Sequence, residues 1–476
     1  MKILKNALIG ILILFTLIIL SITVLYLLDT SRASYLKTKH FDSSIQNEFL
    51  IKNVNLIPMN KDTILLNKMV HIKAGKIYNI DENIENQSLP LVDGQGKFLV
   101  PGLIDMHVHV WDRFELGLYL ANGITTVRNL WGIPLHLRIK NEISNDEFIG
   151  PMFYTSSPKL TGPEDYGDDK VQIQSVEQAK QLIQDYNERG YDFIKTYAGI
   201  TEPLFDAIVD QAASLDMDVV SHPSFQMTYS KNFIDQVATI EHAEDIVQQP
   251  LNYQLDSVKL DSVIDLMAIN KVNFSPTLSG FYNIYRMLTE DDLMQEESIA
   301  CINPLFKKVD TEAQVARWQG EKSRNPEVTE RILKQHEFHV YIIKKLHEAG
   351  VNIVCSTDAG IAIGAPGYSI HQEMQHYKKA GLNNYEVIKT ATVNPTITHK
   401  EFKDMGTIEN GKWANLVLCD QNPLEDLSTL ERPDWVIIKG RLLDSKTLES
   451  FKNKAHDRNN ITSTALYWIE NLWVER

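Results

Sequence analysis

Ala7–Leu28, ALIGILILFTLIILSITVLYLL, carries no charged residue, and its apolar residues follow no one-sided helical period. As a helix the run is roughly 33 Å long, enough to cross a bilayer core. Lys2 and Lys5 precede it, which favours a cytoplasmic N-terminus and an extracytoplasmic remainder. A cleaved signal is the alternative, with Ser31-Arg32-Ala33 as a small-x-small site, but secretory apolar regions are usually shorter. Residues 1–30 are therefore expected to form a membrane anchor or signal, and 31–48 a polar tether. Short β runs follow: FLIKNVNLI, MVHIKAG and KIYNI, with Ala74-Gly75 as a turn. The same texture returns in WANLVLCD, DWVIIKG and RLLD. Residues 49–97 and 404–450 are expected to pair as one small β-sandwich domain, with 451–476 as a C-terminal extension.

Between them, 98–403 alternates strand and helix. Apolar or β-branched strands occur at PGLIDMHVHV, ITTVRN, PMFYTSS, DFIKTY, DVVSH, ATIEH, VNFSPTL and NIVCSTD. Helical stretches such as Val176–Arg189, Pro203–Leu215 and Glu327–Ala349 separate them. The pattern predicts an α/β fold, a TIM-like (β/α)8 barrel, ahead of a doubly wound open sheet. No Gly-x-Gly-x-x-Gly loop supports a dinucleotide site. Phe281–Asn325 is long for a βα connection and is expected over the C-terminal face as a lid or specificity element.

Composition changes this picture little. In 476 residues, 43% are hydrophobic and 23% charged, which is ordinary for a globular chain. The net charge of −15, without a basic patch, argues against a nucleic-acid partner. Cys301, Cys355 and Cys419 are too scattered for a disulfide scaffold or a Cys-rich zinc site. No Gly-x-Ser-x-Gly elbow supports a serine nucleophile.

The chemistry collects at strand ends. His107 and His109 lie two apart on the first barrel strand, so both imidazoles face one side and suit a divalent metal. His222 and His242 end the fifth and sixth strands. Asp358 ends the eighth, beside the first in a closed barrel, where a carboxylate can ligate metal and carry a proton. Lys195 shares one face of the fourth strand with Phe193 and Tyr197. Burial there lowers an amine's pKa, and a neutral amine can add CO2 to become an anionic carbamate. Softer candidates for substrate contact are Tyr197, Tyr229 in the loop after strand five, and Arg128 at the end of strand two, the last also suited to a structural ion pair. His336 and His339 are helically spaced, and their apolar neighbours suggest ordinary packing more than a second metal face.

These pieces resemble the metal-dependent amidohydrolase superfamily: VPGLIDMHVHV at strand one, Lys195, His222 and His242 at strands four to six, and STDAG at strand eight. HIKAGKIYNI and GTIENGKWANLVLCDQNPL look like the two halves of its small β-domain. The resemblance spans about residues 49–445 and is nearest to the branch of imidazolonepropionases and amidohydrolase-type prolidases. It implies two divalent ions, usually zinc. One would be held by His107, His109 and Asp358, the other by His222 and His242, with carboxylated Lys195 bridging and Asp358 as proton carrier. Two segments depart from the pattern, Pro223-Ser224-Phe225 and Thr161–Tyr166. The implied activity is hydrolysis of a C–N bond in a small molecule, such as a dipeptide, an N-acyl amino acid or a cyclic amide. The same site would also suit a lactone, ester or phosphotriester. A non-catalytic surface binding protein is the reading from another class, and a homo-oligomer is compatible with each.

Overall fold

The structure is a computed structural model that describes residues 2–41, 48–84, 88–234 and 236–475. Its central layer is a parallel sheet in sequential order: Leu103–Val108, Ile124–Asn129, Met152–Thr161, Phe193–Thr196, Asp218–Ser221, Val237–Glu241, Asn273–Ser275 and Asn352–Ile353. The last strand is only two residues long, but the chain beyond it goes on hydrogen-bonding to the first strand. Met106 N donates to Cys355 O at 2.9 Å and Asp358 N to His107 O at 2.8 Å, and Val108 bridges Ala359 in parallel. The eighth strand thus meets the first and the ring closes as a TIM-like barrel, not a doubly wound open sheet. Strands buried on both faces read as continuous apolar runs, and all six residues of Leu103–Val108 and of Ile124–Asn129 are buried.

A second, mostly antiparallel sheet combines strands from both ends of the chain, in the order Arg441–Asp444, Trp435–Ile438, Leu416–Cys419, Phe98–Pro101, Glu48–Leu56, Leu65–Lys73, Lys76–Asp81. It curls on itself: Ile77 N donates to Lys412 O and Ala414 N to Gly75 O, closing the sheet around Phe49, Ile72, Leu416 and Ile437. The sandwich-like core is therefore made by one continuous sheet.

The expected tether is replaced by packed structure. The N-terminal helix, Lys2–Arg32, passes directly into a turn at Ala33–Leu36 whose Ala33 and Leu36 are buried. Tyr35 packs between Phe114 and Phe451, Leu36 O accepts from Ile149 N at 2.7 Å, and Thr38 N donates to Glu147 O. The remainder of the tether, residues 42–47, lies outside the described residues. Lys5–Leu25 has a mean hydropathy of 3.0 and none of it is buried, as fits an anchor or a signal sequence. The last helix, Ile461–Glu475, lies against the barrel, and Arg32 donates to Asn459 O at its foot.

Candidate active site

The first strand delivers three inward side chains two residues apart: Asp105, His107 and His109. Asp105 is the deepest. It accepts from Thr357 Oγ1 at 2.7 Å and from the backbone of His107 and Thr357, tying strand eight to strand one. Each residue of Ser356–Gly360 beyond the first then has a task. Thr357 holds Asp105, Asp358 turns inward, Ala359 bridges Val108, and Gly360 makes room. A Cβ on Gly360, whose φ is +93°, would stand 2.0 Å from His109 O.

The ligand atoms of His107, His109 and Asp358 all lie within 4.8 Å of one another. Asp358 Oδ1 is 2.9 Å from His109 Nε2 and 3.3 Å from His107 Nε2. The second pair adjoins them, with the His242 ring 4.9 Å from His107 and 4.6 Å from His222 between centroids. Lys195 lies beneath. Its ammonium nitrogen is fully buried and has no hydrogen-bond partner among the described residues, and neither has His222 Nδ1. Burial lowers Lys195 to about pKa 8, opposed by the charge of Glu241 and assisted by that of Arg128. Burial also holds His109 to about 4 and His242 to about 3, so these rings are neutral at physiological pH. Neutral imidazoles, a carboxylate and an unpaired buried amine form a donor set that fits a borderline divalent ion.

Two tautomers are fixed from behind. His107 Nδ1 donates to Glu241 Oε2 at 2.7 Å and His242 Nδ1 to Thr277 Oγ1 at 2.8 Å, leaving each Nε2 for the cluster. His242, Thr277 and Asp358 all have left-handed backbone, at φ +68°, +52° and +56°. Such conformations cost about 1–3 kcal/mol each and collect where function requires a side chain to be aimed.

The softer candidates divide. Tyr197 packs at a tilt on His222, with ring centroids 4.5 Å apart, near the mouth. Tyr229 is buried, its hydroxyl has no hydrogen-bond partner among the described residues, and it lines a cavity of about 790 Å³ with His222, Pro223, Phe225 and Asp245. Arg128 is not at the mouth. It is fully buried below the cluster, donating to Met106 O, Thr239 Oγ1, His399 Nε2 and Glu241 Oε1. The structural ion pair is the correct reading of that residue. His336 and His339 are remote from the cluster, packed on Tyr282, His376 and Phe281.

Sequence reasoning missed Glu241, Thr277 and Asp245, whose Oδ2 lies 3.6 Å from His222 Nε2. It also missed a second cavity, of about 560 Å³, that touches His109 and is walled by Trp111, Trp131, Phe306 and Trp468. Phe306 belongs to the long insertion after strand seven, so part of that segment does line the mouth as expected.

Residues 98–443 match the Amidohydrolase family. The chain belongs to that family. Among curated relatives, an adenine deaminase of Desulforamulus reducens is 31% identical over 98 residues, 21% of this chain. The match covers 16% of that relative, so the amidohydrolase described here shares only a fraction of its length. Similarity to solved structures is more extensive and concerns the fold. A bottromycin amidohydrolase superposes with a TM-score of 0.74 at 21% identity, over 90% of this chain and 94% of that one. A Xaa-Pro dipeptidase does so with 0.63 at 20%, over 84% and 100%.

Proposed function

We propose that this amidohydrolase uses two divalent ions, of the zinc class, to hydrolyse a carbon–nitrogen bond in a small molecule such as a dipeptide, an N-acyl amino acid or a cyclic amide. The observation that carries the reading is the gathering of His107, His109, His222, His242, Asp358 and Lys195, whose amine has no partner among the described residues, at one end of a closed barrel. Relatives named for deamination and dipeptide cleavage support the bond type. His107, His109 and Asp358 would hold one ion, His222 and His242 the other, and Lys195, as its carbamate, would bridge them. Ions bound there supply acidified water and a polarised carbonyl.

The chain's own residues do the rest. Glu241 and Thr277 hold His107 and His242 in the tautomer that presents Nε2. Asp358, the carboxylate that lies against the Nε2 atoms of both His107 and His109, accepts the proton from water and passes it to the departing nitrogen. Burial beneath the mouth excludes bulk water from Lys195 and keeps its amine within reach of neutrality. The exposed apolar helix supports a membrane-anchored chain, and the two lysines before it support a catalytic body on the extracytoplasmic side, secretion after cleavage being the other outcome.

The test is metal analysis and turnover of zinc-supplemented full chain on dipeptides, N-acyl amino acids, cyclic amides and lactones. Close to two ions per chain and amide cleavage are expected. Asp358→Asn should lower kcat by about 10²–10⁴-fold. No bound metal, lactone cleavage without amide cleavage, or a fully active Asp358→Asn would each overturn the corresponding part.

A further inference from the structure

The wall beside His109 is assembled from four separate pieces of chain. Trp111 follows the first barrel strand, Trp131 the second, Phe306 comes from the insertion after strand seven, and Trp468 from the last helix, Ile461–Glu475. Ring centroids are 4.5 Å apart for Trp111 and Phe306, 4.8 Å for Trp111 and Trp131, and 5.5 Å for Trp131 and Trp468. Trp111 Nε1 donates to Gly360 O at 2.8 Å, which ties the wall to the loop that aims Asp358.

Trp131 and Phe306 are buried, whereas Trp111 and Trp468 are only partly covered. Together they border a cavity whose edge leaves Val309 62%, Ile469 59% and Ile361 41% exposed. Large apolar side chains left wet around a concave site mark a place where something apolar is received. The polar groups of the cavity point the same way. Its cation, Lys159, is already paired with Asp169, and the remaining charges, Asp168 and Asp310, are acidic. An anionic substituent would meet repulsion here, whereas an apolar one gains contact with the rings.

We infer that the substrate carries a bulky apolar group, of the size of an aromatic ring, which lies against this wall, and that Trp468 is a specificity-determining residue. The inference rests on the hydrolase reading for its catalytic expression but not for its binding. A pocket tuned to size discriminates by about 10–200-fold per group it recognises.

The experiment compares N-phenylacetylglycine and N-acetylphenylalanine with N-acetylglycine on the zinc-supplemented full chain, by turnover and by quenching of intrinsic tryptophan fluorescence. At least one bulky compound should exceed N-acetylglycine by tenfold or more in kcat/KM, mainly through KM, and in binding. Trp468→Ala should collapse that ratio toward unity and Trp468→Phe should restore most of it, with thermal midpoints checking that both variants fold. Preferred binding of a bulky compound with no turnover of any amide would leave the wall assignment standing and remove the hydrolase reading. Equal binding of bulky and small compounds, or a ratio unchanged in Trp468→Ala, would overturn the wall assignment.

Discussion

Glu241 is held from three directions in a site closed to water: Arg128 and Thr239 donate to one carboxylate oxygen and His107 to the other. Removing a single partner leaves a buried charge uncompensated. Arg128→Met is therefore expected to destabilise the fold by about 3–5 kcal/mol, and a urea midpoint close to that of the parent would show the pair to be dispensable. Lys195→Ala should lower activity, and short carboxylates such as formate should restore part of it, since they can occupy the place of a carbamate. Activity untouched by the substitution would remove the bridge. The set gathered at the strand ends was legible because strand alternation is strict: 107 and 109, or 193, 195 and 197, must share a side. Glu241 was not. Alternation puts it on the opposite side from His242, and only the left-handed turn at His242 lets both serve one cluster. Arg128 misled for a related reason. Its position at a strand end resembles that of the histidines, while its guanidinium extends down into the barrel to meet Glu241 and His399.

Three helices, Leu278–Thr289, Val328–Glu348 and Ser369–Lys379, bury His336 and His376 against Tyr282 and His339 against Phe281. Burial holds the three rings to about pKa 4, 3 and 2, with the Lys379 ammonium lowering the first and last further. Unfolded imidazoles bind protons below about pH 6.5, where the folded rings do not. Stability from this packing is thus complete above pH 6.5 and falls as the pH drops towards 4, by about 1.4 kcal/mol per pH unit for each ring. His376→Leu should remove one ring's share of the difference between urea midpoints at pH 7.5 and 5.5, and an identical acid slope in both proteins would refute this. The eight strands and the insertion could be read because their lengths and apolar runs are unlike those of loops. The crossing of Ile461–Glu475 beside the mouth could not, because a mixed apolar–polar helix carries no mark of which surface it will cover.

On the scale of the molecule, the first and last helices meet. The N-terminal helix enters the barrel through Ala33–Leu36 without slack, and Arg32 caps the approach to the last helix. A chain starting at residue 31 should stay in solution without detergent and keep its thermal midpoint. One starting at residue 42 should lose about 2 kcal/mol or more, the burial of Leu36 alone accounting for most of it. Equal midpoints would mean that residues 33–41 contribute nothing. The same direct passage bears on how substrate arrives. The N-terminal helix touches the helix that carries Trp468, so if it is retained as an anchor the entrance would stand at a set height above the bilayer. With the anchor retained, an oily molecule already dissolved in that leaflet reaches the entrance by diffusion in two dimensions, at a local concentration far above its aqueous one. A molecule confined to water gains nothing from the arrangement.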